Sequence, residues 1–70
     1  MQDYKQQLSY EEYLDWRKKV LKWLIDHDMD KKDLADSIRY SKKTVYDALG
    51  SYERCSKFFV AAVNERMMSV

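Results

Sequence analysis

The feature that most constrains the fold of this chain is the apolar spacing in residues 31–50, KKDLADSIRYSKKTVYDALG. Leu34, Ala35 and Ile38 recur at intervals of three and four residues, which places them on one face of a helix. The pattern breaks at residues 39–41, and a second apolar stripe then begins. This second stripe consists of Val45, Ala48 and Leu49. The segment therefore predicts two short amphipathic helices joined by a tight turn.

The boundaries of the second helix are also readable. The Ser41 hydroxyl can accept a hydrogen bond from the free backbone N–H groups of the first turn. Gly50 follows the last apolar position, where we expect a left-handed residue to end the helix. The small side chain of Ala35 lets the two helices approach closely.

The outward face of the second helix is polar and charged. Its residues are Ser41, Lys42, Lys43, Tyr46 and Asp47. A helix fits the DNA major groove, where a lysine can donate to guanine N7 and O6 and an aspartate can accept from cytosine N4. This face therefore favours base recognition in double-stranded DNA.

The segment resembles the helix-turn-helix of the Cro and phage-repressor (XRE-type) family. The spacing that carries the resemblance comprises Leu34, Ala35, Ile38, Ser41, Thr44, Val45 and Leu49. The resemblance implies a lambda-repressor-like fold in which the first helix crosses the DNA backbone and the second lies in the major groove. It also implies a small transcriptional regulator, often of a phage or mobile element.

The resemblance carries over to individual positions. Lys42, Lys43 and Asp47 match base-contacting positions, and Lys31 and Ser51 match positions that touch phosphate. The chain departs from the family at Arg39, because the family usually has Gly at this turn position. A non-Gly residue in the left-handed conformation costs roughly 1 kcal/mol.

The whole chain predicts an all-α fold, a small bundle of four to five helices. It has no Pro and one Gly, which argues against sheet turns. We expect a flexible tail at residues 1–8, which could dock through Tyr4 or Leu8, and one helical domain at residues 9–70. Ser9 and Glu12 form a capping box for a first helix that runs to about Asp26.

This first helix has a wide apolar arc. Its members are Tyr13, Trp16, Val20, Trp23 and Leu24, broadened sideways by Leu14, Leu21 and Ile25. Two interpretations follow: both tryptophans belong to the core, or part of the arc binds a partner. The basic run Arg17, Lys18, Lys19 and Lys22 is expected to be solvated. We interpret Asp30 as the N-cap of the next helix, with Asp33 at its third position.

After Gly50, we expect Ser51 to cap a last helix that reaches about Met67. Its predicted inward stripe is Cys55, Phe58, Phe59, Ala62 and Val63. Val60, Met67, Met68 and Val70 fit that stripe poorly, so the C-terminal end is a candidate dimer surface, together with Trp16 and Trp23; fraying of the chain end is the alternative. Arg54 and Lys57, on the outward face near Ser51, are candidate phosphate contacts.

Composition narrows the function. One Cys excludes an internal disulfide framework, and no Cys and His spacing suits a metal. The acidic spacing at residues 26–30 is not a calcium loop, because Lys31 stands where Gly is needed. His27 has no catalytic partner. We therefore expect no enzyme and no cofactor. Without a long apolar run or a secretory signal, we expect a cytoplasmic protein with no membrane partner.

The charge balance of the chain gives mixed evidence for DNA binding. Thirteen basic residues face twelve acidic ones, whereas many DNA-binding domains are strongly basic. The distribution is uneven: residues 39–57 contain five basic and two acidic side chains, and residues 1–38 contain seven and nine. The predicted recognition helix lies in the basic part.

Two hypotheses remain from the sequence. The first is a sequence-specific regulator, such as a repressor, that binds operator DNA as a homodimer on two half-sites. The second is an antirepressor, a protein-interaction module that keeps the fold but binds another regulator. The near-neutral charge and Asp47 on the recognition face motivate the second hypothesis.

Overall fold

The computed structural model describes residues 8–69, which form four α-helices and one short 3₁₀ helix and contain no strand. The helices are α1 (Tyr10–Asp26), α2 (Lys31–Ile38), α3 (Lys42–Gly50) and α4 (Lys57–Met68), and the 3₁₀ helix is Tyr52–Arg54. The prediction of a small all-α bundle is confirmed. The predicted tail, apart from Leu8, lies outside the described residues, as do Tyr4 and Val70.

The first two helices begin at the predicted N-caps, and both caps belong to a capping box. Ser9 Oγ accepts from the Glu12 N–H at 3.1 Å, and Glu12 Oε1 accepts from the Ser9 N–H at 2.9 Å. Asp30 and Asp33 exchange the same pair of bonds at 2.8 and 3.2 Å. Each box satisfies backbone donors that a helix start leaves without intrahelical partners.

The turn between α2 and α3 is closed by backbone geometry. Arg39 is left-handed, with φ of 64°, as its position predicted. Its N–H and the Tyr40 N–H both donate to the Ala35 carbonyl, which ends α2. Ser41 then caps α3 by accepting from the Thr44 N–H at 3.1 Å, so α3 begins where the sequence predicted.

The predicted end of α3 is wrong. Gly50 is the last residue of α3, and it does not have a positive φ. The last carbonyls of α3 are instead capped from α1: the Tyr13 hydroxyl donates to the Ala48 carbonyl at 2.7 Å, and Arg17 Nε donates to the Leu49 carbonyl. Arg17 is therefore not merely solvated, because it complements the negative end of the α3 dipole.

The predicted start of the last helix is also wrong. Ser51 makes no side-chain cap, and Ser56 caps α4 by accepting from the Phe59 N–H at 3.1 Å. The later start changes which side chains face inward. Phe58, predicted to be buried, is 67% exposed, whereas Val60 is only 7% exposed.

One apolar core joins all four helices. Its buried members are Tyr13, Trp16, Val20, Leu24, Leu34, Ala35, Val45, Ala48, Leu49, Cys55, Phe59, Val60 and Val63. The three α3 members are fully buried, which fixes the rotation of α3 about its axis and turns its polar side outward. None of the helices described in residues 8–69 is long and apolar enough to cross a membrane.

Candidate nucleic-acid interface

The outward face of α3 carries the predicted base-contacting side chains. Ser41, Lys42 and Lys43 are exposed, and Tyr46 is half exposed. Ser41 also shares a 2.8 Å hydrogen bond between hydroxyls with Thr44. The face is held rigidly, because the opposite side of the same short helix lies in the core. Hydrogen bonding and ion pairing are the chemistry that this face offers.

Asp47 is the one acidic side chain of this face, and it is engaged by two cations. Its Oδ2 lies 3.1 Å from Lys43 Nζ and 3.4 Å from an Arg54 guanidinium nitrogen. The Asp47 side chain is 35% exposed, whereas those of Lys43 and Arg54 are 81% and 65% exposed. The local charge of the three side chains together is positive by one.

Lys31 lies beside the same face. It is the first residue of α2, and its Nζ lies 5.1 Å from the centroid of the Tyr46 ring. A cation over an aromatic face is attracted by the ring quadrupole. The structure thereby brings a predicted phosphate contact next to a predicted base contact, which the sequence alone did not reveal.

The other predicted phosphate contacts follow α3 along the chain. Ser51 is half-buried and connects α3 to the 3₁₀ helix, while Arg54 ends that helix and reaches back to Asp47. Lys57 begins α4, and its Nζ lies 5.6 Å from the centroid of the Phe58 ring. Arg54 contacts the polar face of α3 through a hydrogen bond from its guanidinium to Asp47 Oδ2.

The predicted partner surface is divided. Trp16 is 8% exposed and donates from Nε1 to Asn64 Oδ1 at 2.8 Å, so it belongs to the core and does not offer a surface. Trp23 is half-buried. Its ring centroid lies 4.4 Å from that of His27 and 5.3 Å from the Arg66 guanidinium carbon. Met67 packs against the core, and Met68 is 82% exposed.

An apolar groove next to α3 was not predicted. Its lining includes Leu21, Ile25, Met29 and Tyr46. Ile25 is 77% exposed, although it lies within the apolar arc of α1. The sequence does contain a signal for this exposure: Ile25 lies at the edge of the apolar arc and one residue before the end of α1.

Among residues 8–69, two buried groups have a raised pKa, and neither lies on the polar face of α3. Burial raises the pKa of the Cys55 thiol from 9.0 to about 11. Burial also raises the pKa of Tyr13, with a smaller contribution from Cys55. The Cys55 thiol therefore stays protonated and unreactive at neutral pH. Within residues 8–69, no group of three His, Cys, Asp or Glu side chains could hold a metal ion.

Comparison with known proteins gives no relative. No protein-family model, curated protein or solved structure matches this chain.

Proposed function

We propose that this protein is a sequence-specific transcriptional regulator that binds double-stranded DNA with α3 in the major groove. The observation that carries the proposal is the polar face of α3. Exposed hydroxyl and ammonium groups lie there on a helix whose other side is fully buried. Such a face can donate to base edges without a rearrangement of the core.

The electrostatics of the face support the proposal. Phosphate contacts supply much of the affinity for DNA, so an isolated carboxylate on this face would oppose binding. Asp47 is not isolated, because Lys43 and Arg54 both lie within 3.4 Å of its Oδ2. The two ion pairs weaken one of the two objections that the sequence raised, and the near-neutral total charge remains the other.

The mechanism follows from the arrangement. Lys42, Lys43 and Tyr46 contact base edges, while Lys31, Ser51 and Lys57 fix the register on phosphates. A homodimer would place two such helices about one DNA turn apart, on the half-sites of an operator. Bound there, it would block access to a promoter and so act as a repressor.

A titration of the folded protein tests the proposal. DNA fragments from around its own gene are measured by fluorescence anisotropy at two salt concentrations. We expect binding to one fragment that weakens with salt. The Lys42→Ala, Lys43→Ala double variant should lose the preference for that fragment. The Lys18→Ala, Lys19→Ala variant removes the same charge from exposed positions of α1 and is the matched control.

A protein-binding function is the second candidate, because the apolar groove lined by Leu21, Ile25 and Tyr46 adjoins the same face. An antirepressor would use this groove and the half-exposed Tyr46 against another regulator. The titration separates the two functions. Absence of DNA binding at low salt by a folded protein would contradict the regulator and favour the antirepressor.

A further inference from the structure

Asp47, Lys43 and Arg54 form a continuous strip along the polar face of α3. Both cations contact the same carboxylate oxygen, Oδ2, at 3.1 and 3.4 Å. Lys43 comes from the first turn of α3, whereas Arg54 comes from the 3₁₀ helix seven residues after Asp47. The strip therefore joins the face of α3 to the segment that follows it.

The backbone of Arg54 is held on both sides. Its N–H donates to the Ser51 carbonyl at 3.2 Å. On one side, Tyr52 packs edge-on against two tyrosine rings, and its hydroxyl donates to the Leu8 carbonyl. On the other side, Cys55 is buried in the core. The backbone of Arg54 is therefore fixed, and only its side chain can change direction. The contact with Asp47 restricts that direction.

The carboxylate makes Arg54 better suited to a base than to a phosphate. A guanidinium has five donors, and Asp47 engages one of its nitrogens. A phosphate on the remaining donors would stand close to the Asp47 carboxylate, and the two negative charges repel. Guanine O6 and N7 are neutral acceptors, and they match two parallel donors of a guanidinium.

We infer that Arg54 reads a guanine in the major groove and that Asp47 is the positioning residue that directs its guanidinium there. The inference rests on the proposed function. It changes two expectations from the sequence: Arg54 moves from a phosphate contact to a base contact, and Asp47 acts through Arg54 rather than on cytosine.

The test begins with selection of binding sequences from a random duplex pool by the wild-type protein. Affinities are then measured for the selected duplex and for duplexes with each guanine pair replaced. Wild type should prefer one guanine by about 10- to 100-fold. Arg54→Lys keeps the positive charge but replaces the planar guanidinium with an ammonium group, which lacks the two parallel donors. It should therefore lose most of that preference while binding unselected DNA as before.

Asp47→Asn gives the sharper readout, because its two effects have opposite signs. Removal of the negative charge should strengthen binding to all duplexes, including unselected DNA. The same variant should weaken the preference at the Arg54 guanine. Apart from the pair read by Lys43, the other partner of Asp47, it should change no other base preference. Asp26→Asn, which breaks the exposed Lys22–Asp26 pair on α1, is the matched control and should leave the preference unchanged.

The outcomes distinguish the inference from the proposed function. If Arg54→Lys keeps every base preference, or Arg54→Ala weakens all duplexes equally, Arg54 contacts phosphate and the inference is wrong while the regulator stands. If selection by the folded wild-type protein enriches no sequence, the proposed function is wrong and the inference with it. Far-UV circular dichroism of each variant verifies the fold.

Discussion

The Tyr13 hydroxyl in α1 donates a 2.7 Å hydrogen bond to the Ala48 carbonyl in α3. The two residues are 35 positions apart, and both are buried. Together, Tyr13 and Arg17 donate hydrogen bonds to carbonyl groups in the last turn of α3. The orientation of the polar face of α3 thus depends on α1.

Tyr13→Phe measures this contact. The variant keeps the ring in the core but leaves the buried Ala48 carbonyl without its donor, which costs about 1–3 kcal/mol. We expect the free energy of unfolding to fall by that amount in urea denaturation. Tyr10→Phe is the control, because Tyr10 is 57% exposed, and its effect should stay within about 0.5 kcal/mol. Equal effects of the two variants would contradict the capping role.

Arg39→Gly should stabilise the protein. Arg39 has a φ of 64°, where a non-Gly residue is strained by roughly 1 kcal/mol. The glycine variant should raise the midpoint of urea denaturation, while Arg39→Ala, which keeps the strain and removes only the charged side chain, should not. A midpoint raised equally by both variants would show that the arginine side chain, not the backbone, is responsible.

Ser56→Ala and Ser51→Ala test where α4 begins. Ser56 Oγ accepts from the Phe59 N–H, so its loss should cost about 1 kcal/mol of stability. Ser51 makes no side-chain cap, and its alanine variant should change stability by less than about 0.5 kcal/mol. Thermal denaturation followed by circular dichroism compares the two variants. The reverse order of effects would restore Ser51 as the cap.

The stability of the protein should fall in a defined alkaline range. The folded-state pKa of Cys55, about 11, exceeds its ordinary value of 9.0, so the folded chain holds the thiol proton more tightly. The protonated Cys55 thiol contributes its full share of the folding stability below pH 9.0, and this stabilisation is lost as the pH rises through about 11. A difference of two pKa units between the unfolded and folded states amounts to about 2–3 kcal/mol in the free energy of unfolding.

Tyr13 acts in the same direction, because its pKa is also raised. Urea denaturation between pH 8 and about 11 measures the slope of stability against pH. Cys55→Ala should flatten that slope, whatever its effect on stability at neutral pH. An unchanged slope would show that Cys55 does not link folding to protonation.

Lys43→Ala tests base reading at the first turn of α3. If Lys43 contacts a base, the variant should relax the preference at one base pair, by about 1–3 kcal/mol. Gel-shift titrations of single-pair operator variants measure this preference. Equal weakening on every duplex would instead place Lys43 on the DNA backbone.

Local patterns predicted the fold where one short segment determines the outcome. The two capping boxes and the left-handed Arg39 depend on residues within four positions of each other. The end of α3 could not be predicted in this way, because its partners Tyr13 and Arg17 lie in another helix. Periodicity alone therefore placed the cap on Gly50, the nearest residue of the expected type.

The start of α4 was missed because two serines compete for it. Ser51 and Ser56 are both suitable N-cap residues. The chain between them forms a 3₁₀ helix, and Cys55, which follows it, is buried in the core. The five-residue delay reverses the burial expected for Phe58 and Val60. For the interface, the sequence predicted the exposed face of α3 but not the Asp47–Arg54 pair, which depends on that turn.

The dependence of α3 on α1 also concerns how the protein acquires its polar face. A nine-residue helix is too short to persist alone in water, and its last carbonyls are capped only once α1 has docked. A peptide comprising residues 31–50 would therefore be a poor mimic of the protein. We therefore expect the surface on α3 to form together with cooperative closure of the whole domain, and its amide protons to exchange only when the entire domain opens.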